Sequence, residues 1–198
     1  MTTNDETFDR RRAVVIAGHE GNEAFARDAL TDTDHTVREL ALSALHRIGT
    51  LTDVDLTTAL TDISPLVRRR ATELAALYPT VDLLVALHDN DALVTEVAAW
   101  ACGEHVAVSP QILDRLIELT TTHNDPIVRE SCAAALGAIG DAKGLSAILA
   151  ACNDKPAVRR RAVLALAPFD GPEVDSAIDA ALQDRDWQVR QSAEDLRR

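Results

Sequence analysis

The 198-residue chain has few aromatic residues: Phe, Tyr and Trp together make up 3% of it. A core without large rings must be built from Leu, Val, Ile and Ala. With 46% hydrophobic residues, this suits closely packed helices better than a sandwich. Cysteine is scarce, and its three copies form no C-x-x-C pair, so neither a disulfide framework nor a thiolate metal site is expected. No apolar run approaches about 18 residues, which excludes a spanning helix. The first residues, M-T-T-N-D-E-T, lack the apolar region of a secretory signal. These absences predict a cytoplasmic protein. Nucleophile elbow, Walker loop and H-E-x-x-H are all missing, so no catalytic residue, cofactor or metal is expected.

Lysine is nearly absent as well. It occurs only at Lys143 and Lys155, and arginine supplies the other 18 basic residues. Asp outnumbers Glu by 21 to 11, and the formal net charge is −12. Such a surface disfavours nonspecific binding to nucleic acid and to anionic membranes. The Asp-rich, Thr-rich, Lys-poor balance resembles that of proteins from salt-accumulating extreme halophiles. An acidic partner would follow from that origin.

What the chain does have is a phrase that returns. Asp32–Gly49 reads D-T-D-H-T-V-R-E-L-A-L-S-A-L-H-R-I-G. Val37-Arg38 recurs as Val67-Arg68, Val94-Thr95, Val128-Arg129, Val158-Arg159 and Val189-Arg190, at intervals of 30, 27, 34, 30 and 31 residues. A period in this range marks a stacked repeat array. Three, six, seven and ten residues after each Arg position stand mostly small apolar residues, such as Ala41, Ala44, Leu45 and Ile48 in the first copy. That spacing puts them on one helical face. Cys102 and Cys132 occupy such positions and are expected as small buried hydrophobes. Cys152 and His105 fall near helix ends. Six residues before each Arg position stand Asp32, Asp62, Asp89, His123, Asn153 and Asp184. An aspartate there accepts from helix-start N–H groups and from an Arg of a neighbouring copy.

The phrase D-x-D-x-x-V-R followed by this helix resembles the HEAT-like repeat of the phycobilisome-lyase type over nearly the whole chain. The resemblance implies an all-α, right-handed α-solenoid of helical pairs. It also implies a ladder of turn aspartates and helix arginines, here Asp32, Asp62 and Asp184 with Arg38, Arg68, Arg129, Arg159 and Arg190. Thr95 replaces an Arg, and His123 and Asn153 replace Asp; the ladder is expected to be weaker there.

Residues 1–6 are expected as a flexible arm and 7–198 as a single repeat domain. Arg10–Gly21 is similar to Arg159–Gly171, so the domain opens on a second helix, about residues 7–18, as a terminal cap. Six pairs follow. First helices are expected near 22–31, 53–61, 80–88, 110–121, 142–152 and 173–183. Second helices are expected near 36–48, 65–78, 92–105, 126–139, 156–168 and 187–197. Pro65, Pro126, Pro156, Pro110 and Pro172 mark helix starts, and Gly49, Gly140 and Gly171 mark exits. At 8–10 Å per helix layer, six pairs would span roughly 50–60 Å.

The position five residues after each Arg lies opposite the core face, where second helices line the concave side of a solenoid. It holds Ser43, Glu73, Trp100, Ala134 and Leu164. Glu96, Val97, Glu104, Ala138 and Leu77 share that phase. Trp100 is one of two tryptophans and a candidate anchor for a partner protein; Trp187 is expected to pack on the last repeat. Triple arginines stand at 10–12, 68–70 and 159–161. Arg70 and Arg161 are candidates to flank the anchor, and pairing with turn aspartates is the alternative use of these charges. The expected partner-binding set is therefore Trp100, Arg70, Arg161, Glu104, Glu73 and Leu164, with a second protein as the ligand. Two other functions follow from the resemblance. Relatives assist bilin attachment, and deoxyhypusine hydroxylase builds a di-iron site from several His-Glu pairs on HEAT repeats. Here only His19-Glu20 has that order, with Glu104-His105 reversed, and a two-metal site needs more converging ligands. HEAT-like DNA glycosylases bind nucleic acid with a basic, aromatic concavity, which −12 opposes.

Overall fold

The computed structural model describes residues 3–197, with side chains from residue 6. Every regular element among them is helical. Twelve α-helices run in chain order: α1 Thr3–Glu20, α2 Glu23–Asp28, α3 His35–Ile48, α4 Asp53–Ala59, α5 Pro65–Ala75, α6 Ala92–Glu104, α7 Pro110–Thr122, α8 Pro126–Ile139, α9 Leu145–Ala151, α10 Pro156–Ala165, α11 Pro172–Ala181 and α12 Trp187–Leu196. Short 3₁₀ turns extend α2 and precede α9. The stretch expected as one domain divides into two compact units, Met1–Val85 and Ala86–Arg198.

In the first unit the second helices α1, α3 and α5 pack in succession, and α2 and α4 lie against α3 and α5. In the second unit α6, α8, α10 and α12 pack in succession, with α7, α9 and α11 beside α8, α10 and α12. Stacked helical pairs of this kind are the arrangement of an α-solenoid. The core positions read from the 3.6-residue period are buried: Ala41 and Leu45, Ala71 and Ala75, Ala98 and Cys102, Cys132 and Leu136, Ala162 and Leu166. Small residues there let the helices approach closely. At Gly137 of α8 even a methyl group is too much, since a Cβ would lie 2.6 Å from the Ala165 Cα of α10.

Four second helices, α3, α5, α6 and α12, start on the same turn. Asp32, Asp62, Asp89 and Asp184 accept the N–H two residues on, each at 2.8 Å. Asp34, Asp91, Asp125 and Asp186 then cap α3, α6, α8 and α12 with their side chains. Their carboxylates offset orphan N–H groups at the helix start. At Gly140 the chain leaves α8 with φ of 69°, a left-handed exit that glycine adopts without strain.

Four expectations need correction. α1 begins at Thr3, so residues 3–6 of the supposed arm are helical; residues 1–2 lie outside the described residues. The first helix expected at 80–88 is absent, and only a 3₁₀ turn, Ala86–His88, forms there. That copy has the shortest interval, 27 residues, which leaves less chain for a first helix. The 34-residue interval instead accommodates the 13-residue α7. α5 and α10 stop three residues early, ahead of Pro79 and Pro168.

Candidate functional site

The arginines at the ladder positions make a two-ended contact. Arg38 donates to both carboxylate oxygens of Asp62 in the next copy, at 2.7 Å each, and to the Asp32 carbonyl of its own turn at 2.8 Å. Arg159 does the same with Asp184 at 2.8 and 2.7 Å and with the Asp154 carbonyl at 2.9 Å. Arg10 pairs with Asp32 at 2.9 Å. Arg68 and Arg190 donate to the Asp62 and Asp184 carbonyls. Asn153 is not the acceptor in its copy. Arg129 reaches Asp154, one residue further, at 2.5 and 2.7 Å, so the substitution leaves no gap there. Hydrogen bonds from Arg129 and Arg159 hold the Asp154 and Asp184 carboxyls below the usual range, against the opposing effect of burial.

The rung that is lost is lost on both sides. Arg in one copy reaches Asp in the next, so the residue facing Thr95 in this scheme is His123. Thr95 is 1% exposed, and its hydroxyl donates to the Asp89 carbonyl at 3.1 Å, keeping the near half of the contact. The His123 Nδ1 accepts the Asp125 N–H at 3.1 Å, taking over the turn-closing role of the aspartate.

Most of the triple arginines are engaged with acids. Arg11 grips Asp34, which lowers that carboxyl's pKa. Arg70 donates to Glu73 at 2.9 Å and to the Ser43 hydroxyl at 2.9 Å. Arg160 and Arg161 both approach Glu130, at 3.4 and 3.8 Å. The pairing partners thus include glutamates of the second helices as well as turn aspartates.

One groove stands out in the second unit. It has a volume of about 500 Å³ and runs along α6 and α8 to α10. α6 is buried on most sides, by Val94, Thr95, Val97, Ala98, Ala101 and Cys102. What remains toward the groove is Glu96, Trp100 and Glu104, spaced i, i+4, i+8 and hence in one stripe. Trp100 is 45% exposed. Opposite it, α8 contributes Ile127, Glu130 and Ser131, and its Ala134, Ala135 and Ala138 make a floor of small side chains. The Ser131 hydroxyl ties α8 to α6 through the Glu96 carbonyl at 2.9 Å. Arg161 closes the α10 end.

Of the expected binding residues, Trp100, Glu104 and Arg161 meet in this groove. Leu164, three residues past Arg161 on α10, is half-buried and does not line it. Arg70 and Glu73 belong to the first unit and are bound to each other. Val97, expected on the open phase, is buried, and Trp187, expected to pack, is 64% exposed. Ile127, Glu130 and Ser131 lie outside the expected set, although they stand at the i, i+3, i+4 spacing that leads to Ala134. Glu104 and His105 part company at the helix end: the carboxylate is exposed and the imidazole is buried. No group of three or more His, Cys, Asp or Glu among the described residues is placed to hold a metal ion. Burial pushes the Cys152 thiol up to about 11 and raises that of Cys132 further, so neither is an activated nucleophile. No helix of the described residues is long and apolar enough to cross a membrane.

The stacked helical pairs define an all-α repeat protein with the fold of an α-solenoid. Residues 80–167 match the family model for HEAT repeats. Among solved structures, an engineered protein matches with a TM-score of 0.64 at 20% identity, covering 86% of this chain and 95% of its own. The YibA protein of Escherichia coli matches with a TM-score of 0.63 at 20% identity, covering 85% and 67%. A designed armadillo repeat protein matches with a TM-score of 0.60 at 18% identity, covering 86% and 96%. At these identities the likeness is one of fold. A search of curated proteins gives no match.

Proposed function

We propose that the protein is a non-enzymatic scaffold that binds another protein, and that a segment of this partner docks in the groove formed by α6, α8 and α10. The observation that carries this is Trp100. A half-exposed indole over a floor of alanines, at the meeting of three stacked helices, supplies the desolvatable aromatic surface on which binding hot spots are built. The groove lies within the usual size range for pockets that seat a ligand or side chains, roughly 300–1,000 Å³. A cytoplasmic location and a salt-rich host belong to the same proposal. An acidic partner does not suit this groove, because Glu96, Glu104 and Glu130 line it against a single Arg161. The same carboxylates repel phosphate and weigh against nucleic acid here. For a metal hydroxylase the His-Glu sets are missing among the described residues, and for bilin attachment no cysteine is among the residues that line the groove.

The test is a groove-filling substitution. Ala138 is exposed on α8, so Ala138→Trp should occlude the groove and leave the core intact. Partners are captured from the native host at its own salt, identified, and rebound as purified proteins to wild type and variant. Equal binding by a variant with an unchanged melting curve would remove the groove from the function.

A further inference from the structure

The docking reading leaves open what the groove recognises, and its chemistry narrows that. We infer that the groove selects a cationic side chain of the partner, an arginine or lysine laid on the Trp100 indole beside Glu104 and Glu96. This rests on the docking proposal and specifies its ligand.

Three observations converge. Glu130 already shares its charge with Arg160 and Arg161, at 3.4 and 3.8 Å, so the acid on the α8–α10 side of the groove is already paired. On the α6 side the Glu104 side chain is exposed and makes no hydrogen bond or ion pair with another described residue. Finally, Glu96 and Glu104 stand one helical turn, about 5.4 Å, to either side of the indole. A guanidinium or ammonium over the ring gains the cation–π attraction and lies within reach of a carboxylate. Ala134 and Ala138 beneath leave room for the aliphatic stem to lie on apolar surface. A partner glutamate over the indole would meet the Glu96 and Glu104 carboxylates instead, one turn away on either side. The net charge of −12 adds a long-range field that steers cations toward the protein.

The test uses the full chain carrying Trp187→Phe, so that Trp100 is the sole indole and its emission reports on the groove. The probes are capped pentapeptides, Ac-Ala-Ala-Xaa-Ala-Ala-amide, with Xaa as arginine, the neutral isostere citrulline, or glutamate. The arginine peptide should give a saturable change in Trp100 emission. Citrulline should bind about two- to fivefold more weakly, and Glu104→Gln should weaken the arginine peptide by a similar factor, as expected for an exposed ion pair. The glutamate peptide should give no saturable change. Absence of a saturable response to arginine, equal response to citrulline, or comparable binding of glutamate would each overturn the inference. The purified partner separates this failure from that of the docking proposal. Binding lost in Ala138→Trp but unchanged in a folded Glu96→Gln/Glu104→Gln chain keeps the groove and removes cation selection. Loss in both supports the two together, and loss in neither removes both.

Discussion

Arg129 forks onto Asp154 and bypasses Asn153, the residue that stands in the aspartate register of its repeat. The two acceptor positions differ by one residue, and the guanidinium follows the charge. Asp154 then closes its turn by accepting the Lys155 N–H, in place of the two-residue reach of Asp62 or Asp184. The arginine contact is thus kept by a small shift in the turn.

Asp154→Asn should therefore destabilise the protein by about 1–3 kcal/mol, the range for hydrogen bonds to charged groups. Asn153→Ala should change stability by no more than about 0.5 kcal/mol. Urea titrations of both variants decide it, and the reverse order of effects would show that the register position matters more than the charge.

The depressed carboxyls predict acid sensitivity. Asp154 and Asp184 are lowered first by the Arg129 and Arg159 hydrogen bonds. At Asp62, burial acts to raise the pKa, but the Arg38 and Ser64 hydrogen bonds outweigh it. A lowered folded-state pKa contributes stability that is full above the unfolded value, about 3.9. That stability is lost as pH falls through the folded value. Melting temperature should thus be flat with respect to these groups at neutral pH and drop below about pH 4. Asp154→Asn should show a smaller drop than wild type.

The double loss at Thr95 and His123 predicts coupling. Thr95→Arg alone places a charge in a site that is 1% exposed and should destabilise. Adding His123→Asp supplies the missing acceptor and should recover part of the loss, with a coupling energy of about 0.5–3 kcal/mol. A double-mutant cycle of unfolding free energies measures it, and strict additivity would show that the two positions no longer face each other.

Gly137→Ala should destabilise the second unit by about 1–3 kcal/mol through overpacking, because the new methyl would strike the α10 backbone at Ala165. Denaturant unfolding gives the value. An unchanged midpoint would mean that α8 and α10 separate at little cost.

For the proposed salt-rich host, stability should rise as KCl approaches molar concentrations, since ions screen repulsion among 32 carboxylates. Thermal melts across a KCl series that stay flat or fall would exclude that origin as the reason for the composition.

The chain by itself determined the elements that recur. The D-x-D-x-x-V-R phrase carries the turn, the cap and the first turn of each second helix, and the 3.6-residue period carries the buried face, because both are local consequences of helix geometry. It also held a sign of the missing first helix, the 27-residue interval. It placed Trp100, Glu96 and Glu104 in one stripe, since residues four apart on one helix must align. Tertiary packing alone decided what faces that stripe. The offset between α6 and α8 brings Ile127, Glu130 and Ser131 across from it, and no spacing within one helix specifies the offset to its neighbour. Packing likewise decided that Arg129 takes Asp154, that Arg70 is consumed by Glu73, and that Trp187 stays open. Each of these depends on distances between helices, and it is those distances that make the groove acidic around Trp100.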